Sequence, residues 1–383
     1  MRRMGIASLP LHTGKAPRWL IKRMESLAVC IFDVILDEYG TKELLSRFSD
    51  PFWFQSLACV LGYDWHSSGT TTVLTGVMRT VLDVKKHQMA VAGGKGRRSK
   101  RTPEDLERIG AAFDFSETKV ASLRRASRLI AKVDNAAIQD GYHLYHHTMI
   151  VSDTGDWGVI QQGMSEQEKS ARRYHWLSSD VKSFVANTGE KIACNFVRNN
   201  VLDMTSGDSE DARKATVDLV TDNPKNLERL YTSLAKAQLP KGQVSLDKWL
   251  TAPGLGHSAN ILHMPWRINW GAIQTAYELQ PENFEGLLLV RGLGPATIRG
   301  LALVAEVIWG TTASWKDPCK FAYSFGGKDG IPFPVDRQAM DQSIQILRHG
   351  IEESKIGKKQ AMQALKRLGS FVKRLDKTVD SSI

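Results

Sequence analysis

Long apolar runs are missing from this sequence. No stretch of about 18 apolar residues occurs, so a membrane-spanning helix is not expected. The N-terminal MRRMGIASLPLHTGK has no apolar segment of signal-peptide length, and a cytoplasmic chain is expected. Cysteine is scarce: Cys30, Cys59, Cys194 and Cys319 form no Cys-x-x-Cys pair, which removes the usual spacing of a four-thiolate zinc site. Cysteines scattered in this way are expected as buried thiols in a reducing compartment. Internal repeats and long low-complexity tracts are also absent. No D-x-n-E-x-K nuclease core is visible either. Gln161 and Gln162 stand where such a core would carry charged ligands, which speaks against a restriction-type active site.

What is present is a basic chain of 383 residues, long enough for two or three domains. Fifty-one Lys and Arg against 41 Asp and Glu give a net charge of +10, a balance that favours polyanions through the long-range field. Residues 85–101, KKHQMAVAGGKGRRSKR, hold seven Lys or Arg and no acid. Residues 348–377 hold nine basic residues against three acidic ones. Either these are solvated faces and a basic loop, or they are two phosphate-contacting surfaces.

The patterning predicts a helix-rich, mixed α/β protein. Apolar residues at three- and four-residue spacing (Leu20, Met24, Leu27, Ile31, Val34, Ile35) predict a helix over 17–48. Asp50-Pro51 looks like the cap and first turn of another. Thr102-Pro103-Glu104-Asp105 has a capping hydroxyl, an early proline and early acids. Residues 141–163, GYHLYHHTMIVSDTGDWGVIQQG, carry the clearest β signal, two runs around a turn at Asp153-Thr154-Gly155-Asp156. Residues 180–236 read as helical with a polar break at 206–211. The expected organisation is an α/β domain with a small antiparallel sheet over 1–178, a helical connecting region over 179–258, and a helical hairpin domain over 259–383 ending in a basic amphipathic helix.

The stretch PENFEGLLLVRGLGPATIRGLALVAEVI predicts a helix, a turn at Gly292-Leu293-Gly294, and a second helix opening at Pro295 or Ala296. Glycines permit positive φ and put no Cβ between the backbone and an incoming group. The amides of such a turn point at one anion, aided by the dipole of the second helix. That is phosphate binding without base reading. Leu293 is expected to tuck inward. The alternative is a glycine C-cap joining two core helices. A dinucleotide-binding glycine turn would need a preceding strand, and the run before this one reads as helix.

This stretch resembles the helix-hairpin-helix element of DNA repair and recombination proteins. By that resemblance Gly292, Leu293, Gly294, Ala296, Thr297 and Arg299, with Lys328, contact DNA. Further along, Pro334-Val335-Asp336 resembles the end of the Gly/Pro-Asp signature of endonuclease III-type glycosylases. The resemblance implies that Asp336 is catalytic, supporting attack on the sugar of a flipped-out nucleotide through an oxocarbenium-like transition state. Bifunctional members carry a lysine where this chain has Ala296, which excludes a Schiff base from that position. Lys328 is another source of an amine. Asp336 also suits a helix N-cap.

The first half contributes DWHSSG (64–69), AGGKG (92–96), the His-rich hairpin, and RRYHWL (172–177). With the turn centred on Thr154 and Gly155, His147 faces Gln162 and Thr148 faces Gln161. His147, Met149, Val151, Ile160 and Gln162 then share one face, with His146, Thr148 and Gln161 opposite. A slip of one residue exchanges these sets. Asp64 and His66 together with His147 suit a divalent metal such as Mg or Mn, which would activate water for phosphodiester cleavage. Lys95 would then offset phosphate charge. Surface hydrogen bonding on a half-exposed sheet is the bland reading of the same residues.

Over most of its length the chain also resembles a bacterial and archaeal family known as domain of unknown function 763. The carriers are LPLHTGKAPRWL, SDPFWFQSLACVLGYDWHSSG, YHHTMIVSDTGDWGVIQQGM, ARRYHWLSSDVKSF, LHMPWRINWGAIQTAYELQPENFEGLLLVRGLGPATIRGLALVAEVI and GGKDGIPFPVDRQ. The expectation is a nucleoid-associated DNA repair enzyme, acting by base excision or by strand incision. The candidate catalytic residues are Asp336, Asp64, His66, Lys95, His146, His147 and Gln162. The rivals are a non-catalytic DNA-binding accessory protein and an enzyme that processes RNA or nucleotides.

Overall fold

The computed structural model describes residues 16–63, 68–186, 188, 191–194, 197–237, 264–265, 267–319, 321–322, 337–353 and 359–368. The chain starts with three helices, α1 (Arg18–Phe48, interrupted at Gly40), α2 (Pro51–Val60) and α3 (Ser68–Val81). Asp50 caps α2, its carboxylate accepting from the Trp53 amide at 2.7 Å, as the Asp-Pro pair predicts. The short α4 (Val84–His87) leads into β1 (Met89–Lys95). A basic 3-10 turn, Gly96–Arg101, then enters α5 (Thr102–Ala112). Thr102 lies inside this helix rather than capping it, and its hydroxyl is given to the Ser99 carbonyl at 2.7 Å. Next come α6 (Glu117–Lys132), a π-helical turn (Val133–Ala137), and the strands β2 (Ile138–Gln139), β3 (His143–Ser152), β4 (Trp157–Ser165) and β5 (Ser170–Leu177).

The helical expectation over 180–236 holds only for its second half. Two short strands, β6 (Ile192–Cys194) and β7 (Asn199–Asp203), precede α7 (Glu210–Thr221) and α8 (Pro224–Ala237). The chain continues through α9 (Trp270–Leu279), α10 (Phe284–Leu289), α11 (Pro295–Trp309), β8 (Ser314–Lys316), β9 (Phe321–Ala322), α12 (Arg337–Glu352) and a last described helix over 359–368.

Six strands form one sheet in the order β1-β3-β4-β5-β6-β9, antiparallel except for the parallel β6–β9 pair. A second sheet has the order β2-β7-β8. The large sheet is covered on both faces, so strand alternation sorts side chains between two cores. One face packs Val91, Ile150 and Ile160 against α1 to α3 and the late residues Leu347, Ile351, Ala364 and Leu368. The other packs Ala92, Met149, Val151, Val159 and Trp176 against α5, α6, α7 and the helices from α9 to α11. This second core takes residues from before position 178, from 192–231 and from 264 onward.

Cys194 and Cys319 are bonded as a disulfide, 125 residues apart in sequence, next to the β6–β9 pairing. This corrects the expectation of four buried thiols. Cys30 and Cys59 are thiols outside this disulfide, and of these only Cys59 is fully buried. No helix among the described residues is long and apolar enough to cross a membrane.

Candidate functional site

The His-rich hairpin forms, but its register differs by one residue from the expected one. His147 pairs with Gln161, His146 with Gln162 and Thr148 with Ile160. The turn is longer than two residues: the Ser152 amide donates to the Asp156 carbonyl, and Val151 faces Trp157. The expected sets are therefore exchanged. His147 and Gln161 share a face with Met149 and Val159 toward α6, whereas His146 and Gln162 lie with Ile150 and Ile160 toward α3.

The α3 side is a closed polar pack. His146 Nε2 meets the hydroxyls of Thr75 at 3.1 Å and Thr148 at 2.9 Å. Burial first, then the charges of His147 and Lys95, push its pKa down to about 3. Gln162 donates to the Ser68 carbonyl at 2.8 Å and also bonds Thr71 and the Tyr145 hydroxyl. Lys95 is exposed and lies over the Tyr145 ring, 5.9 Å from its centre. His147 and Gln162 thus do not share a site. Asp64, His66, Lys328 and Asp336 lie outside the described residues. Among the described residues no group of three or more His, Cys, Asp or Glu could hold a metal ion.

The α6 side is different. A cleft of about 530 Å³ opens there, with His147, Gln161 and Ser127 among its lining. Its walls are Lys100 from the basic 3-10 turn and Arg124, Arg125 and Arg128 from α6. The basic turn is held by one buried carboxylate. Asp105 accepts from the Gly93 amide at 3.0 Å, from Arg79 and Arg98 at 3.2 Å each, and from Arg108. Gly93 has φ +82°, and a Cβ there would stand 2.3 Å from the His147 carbonyl oxygen, so glycine is required for this approach of β1 to β3.

The cleft floor is a chain of buried polar groups. Ser127 Oγ lies 2.8 Å from His147 Nε2, and His147 Nδ1 lies 2.7 Å from Gln161 Oε1. Gln161 Nε2 donates to Asp134 Oδ2 at 2.5 Å and to the Ile130 carbonyl at 3.3 Å. Trp176 Nε1 donates to the same Asp134 oxygen at 2.8 Å. Burial lowers the His147 pKa, opposed by the Gln161 bond. Burial raises that of Asp134 to about 8, against the hydrogen bonds from Trp176 and Gln161.

That shift has a stability consequence. Asp134 holds its proton in the folded protein up to about pH 8, whereas the unfolded chain releases it near the ordinary 3.8. The folded state therefore binds the extra proton between these values. Its contribution to stability is complete below about pH 4 and is lost as pH rises toward about 8. Asp134→Asn keeps an acceptor for Trp176 and Gln161 and removes the titration. Urea midpoints at pH 5, 7 and 9 should fall less steeply for the variant than for wild type. Parallel curves would show that Asp134 is not titrating in this window.

The glycine hairpin adjoins the cleft. Leu289, the last residue of α10, is part of the cleft lining. Gly292 has φ +89°, and Leu293 is buried as expected. The turn's carbonyls are tied inward. Gly292 O accepts from Asn269 at 3.2 Å, Leu293 O from Lys132, and Pro295 O from Gln139 at 2.8 Å. Its amides are not. Among the described residues no acceptor pairs with the N–H groups of Gly292, Gly294 or Ala296. Gly292 and Ala296 are exposed, and α11 starts with no side-chain cap. Two residues of the expected contact set face elsewhere. Thr297 is buried, its hydroxyl accepting from the Asn269 amide at 3.1 Å. Arg299 lies over the Trp315 ring at 5.0 Å.

Helix α6 links the two features. Arg125 pairs with Glu285 at 2.9 Å, Arg128 donates to the Leu289 carbonyl at 2.8 Å, and Lys132 donates to the Leu293 carbonyl. One helix thus supplies the cleft's basic wall, its serine, and the bonds that fix the hairpin. Sequence reading missed Ser127, Asp134 and the α6 arginines. The available signal was SLRRASRL, whose Arg124 and Arg128 fall one helical turn apart.

Fold and site define a helix-rich α/β protein with a cationic cleft beside a glycine turn, the Gly292 and Gly294 amides of which have no acceptor among the described residues. The chain belongs to the family described as Protein of unknown function (DUF763), whose profile matches residues 5–335. Comparison with the curated proteins and with the solved structures gives no match.

Proposed function

We propose that this protein binds DNA by its phosphate backbone and acts in DNA repair, with α10, the glycine turn and α11 serving as a helix-hairpin-helix element. The observation that carries the reading is the polarity of the turn: carbonyls bonded inward, and amides of Gly292, Gly294 and Ala296 without acceptors among the described residues, at the start of an uncapped helix. Such a group of N–H donors with a helix dipole behind it suits a phosphate oxygen. The adjoining wall of Lys100, Arg124, Arg125 and Arg128 extends the positive field along a backbone. Processing of the bound strand, by incision or base excision, belongs to the cleft or to Asp336.

Gly294 makes the cleaner probe of the two glycines. Its φ is −129°, and a Cβ there meets nothing within 4 Å. At Gly292 a Cβ would stand 2.9 Å from Asn269 Nδ2 with φ positive, so substitution there also strains the fold. Gly294→Glu should fold as wild type and bind a labelled duplex at least about tenfold more weakly, because a carboxylate meets the phosphate and blocks the amides. Fluorescence anisotropy on duplex DNA and on RNA of the same sequence reads this out. Unchanged duplex affinity would remove the hairpin from the interface, and tighter RNA binding would reassign the substrate.

A further inference from the structure

The chain on the cleft floor has a direction fixed by its own hydrogen bonds. Asp134 Oδ2 receives both Trp176 Nε1 and Gln161 Nε2, so it acts as an acceptor whether or not Oδ1 carries a proton. Gln161 Nε2 has a second acceptor in the Ile130 carbonyl. Turning the amide round would face oxygen against oxygen at the Ile130 carbonyl and would take a donor from Asp134 Oδ2. Its Oε1 is therefore the atom presented to His147, and it accepts only. His147 Nδ1 must then carry the ring proton, which leaves Nε2 with a lone pair. The remaining contact, Ser127 Oγ to Nε2 at 2.8 Å, is a hydroxyl donating to a basic nitrogen.

A serine in the middle of a helix ordinarily returns its hydroxyl to the carbonyl four residues earlier. Ser127 gives its hydroxyl to the imidazole instead, and both residues line an open cleft with cationic walls. A nucleophile bonded to a base that is itself held by a third group is the arrangement that activates a hydroxyl.

We propose that Ser127 is a nucleophile for phosphoesters, with His147 as its general base and Gln161, backed by Asp134, as the positioning residue for the imidazole. As Ser127 Oγ bonds to phosphorus, its proton passes to His147 Nε2. The bond from phosphorus to the leaving oxygen breaks, and that oxygen takes the proton from His147 and departs as an alcohol. Water then reverses the exchange: it gives a proton to His147, bonds to phosphorus and displaces Ser127, which recovers the proton. The Lys100 and Arg128 charges face the phosphoryl oxygens. The choice of a nucleic-acid phosphodiester as substrate rests on the DNA-backbone reading. The activated serine does not.

The test uses the full chain and a small dialkyl fluorophosphate, whose phosphorus takes the serine oxygen and loses fluoride. Peptide mass spectrometry should find one adduct, on Ser127, absent in Ser127→Ala and formed about 10²-fold or more slowly in His147→Gln. Nitrogen-15 NMR of the wild-type imidazole, which needs no variant, should show the proton on Nδ1. Folded wild type without an adduct on Ser127, or a proton on Nε2 of His147, would overturn the assignment. The two proposals separate cleanly. Ser127→Ala should still bind duplex DNA, and a hairpin variant that loses DNA should still label.

Discussion

Arg172→Met is expected to destabilise the protein by about 3–5 kcal/mol, the loss typical of breaking a buried ion pair from one side. Arg172 is fully buried on β5. Its guanidinium donates to Asp140 at 2.9 Å and to both oxygens of Asp317, at 2.9 and 2.7 Å. Tyr174 adds a hydroxyl to Asp140 at 2.6 Å, and the Arg198 amide donates to Asp317 at 2.8 Å. The arginine lies over the Tyr142 ring as well, 4.9 Å from its centre. It ties the large sheet to the chain on either side of the small one. Methionine fills much of the volume but leaves two buried carboxylates to find other donors or take up protons. Arg172→Lys should recover part of the loss, since it restores charge without the two-pronged geometry. Urea denaturation reads both. A loss under about 1 kcal/mol for Arg172→Met would mean that the acids repack at little cost.

The second large effect is on binding. Lys100→Ala, Arg124→Ala and Arg128→Ala together remove three of the four wall cations of the cleft. If each side chain neutralises one phosphate, the slope of log affinity against log salt should become shallower by about 3, and binding should weaken for every duplex sequence alike. Stability should change little. Lys100, Arg124 and Arg128 are exposed, and the Arg124–Glu107 pair is of the surface kind, worth at most about 1 kcal/mol. The hairpin loses the Arg128 bond to the Leu289 carbonyl and keeps the Lys132 bond to the Leu293 carbonyl. A triple variant with the wild-type slope would place the DNA elsewhere on the surface.

The sequence disclosed parts of this arrangement for reasons that can be stated. The β3–β4 hairpin was visible because its strands alternate aromatic and β-branched residues around a turn-rich tetrapeptide. Its register was not, since a longer turn shifts every cross-strand pair by one and moves each side chain to the opposite face. That slip decides the site. It brings Gln161, not Gln162, to His147, and sends Gln162 to the far side with His146 and α3. The strands β6 and β7 span three and five residues, too short for periodicity to separate from helix. The Cys194–Cys319 bond joins positions 125 residues apart, and no local pattern can announce it. The hairpin was the most legible element, because a Gly-x-Gly turn ahead of a helix has a local backbone cause. Ser127 was the least legible. On α6 it sits among Leu123, Ala126 and Ile130 on a buried face, and only the fold reveals that His147 stands across from it.

The most direct measurement of the central claim is the amide NMR spectrum of the deuterated protein titrated with a short undamaged duplex. The N–H signals of Gly292, Gly294 and Ala296 should move downfield together, saturate at one duplex concentration, and return as salt is raised. Saturating duplex binding with those three signals unmoved would contradict the account.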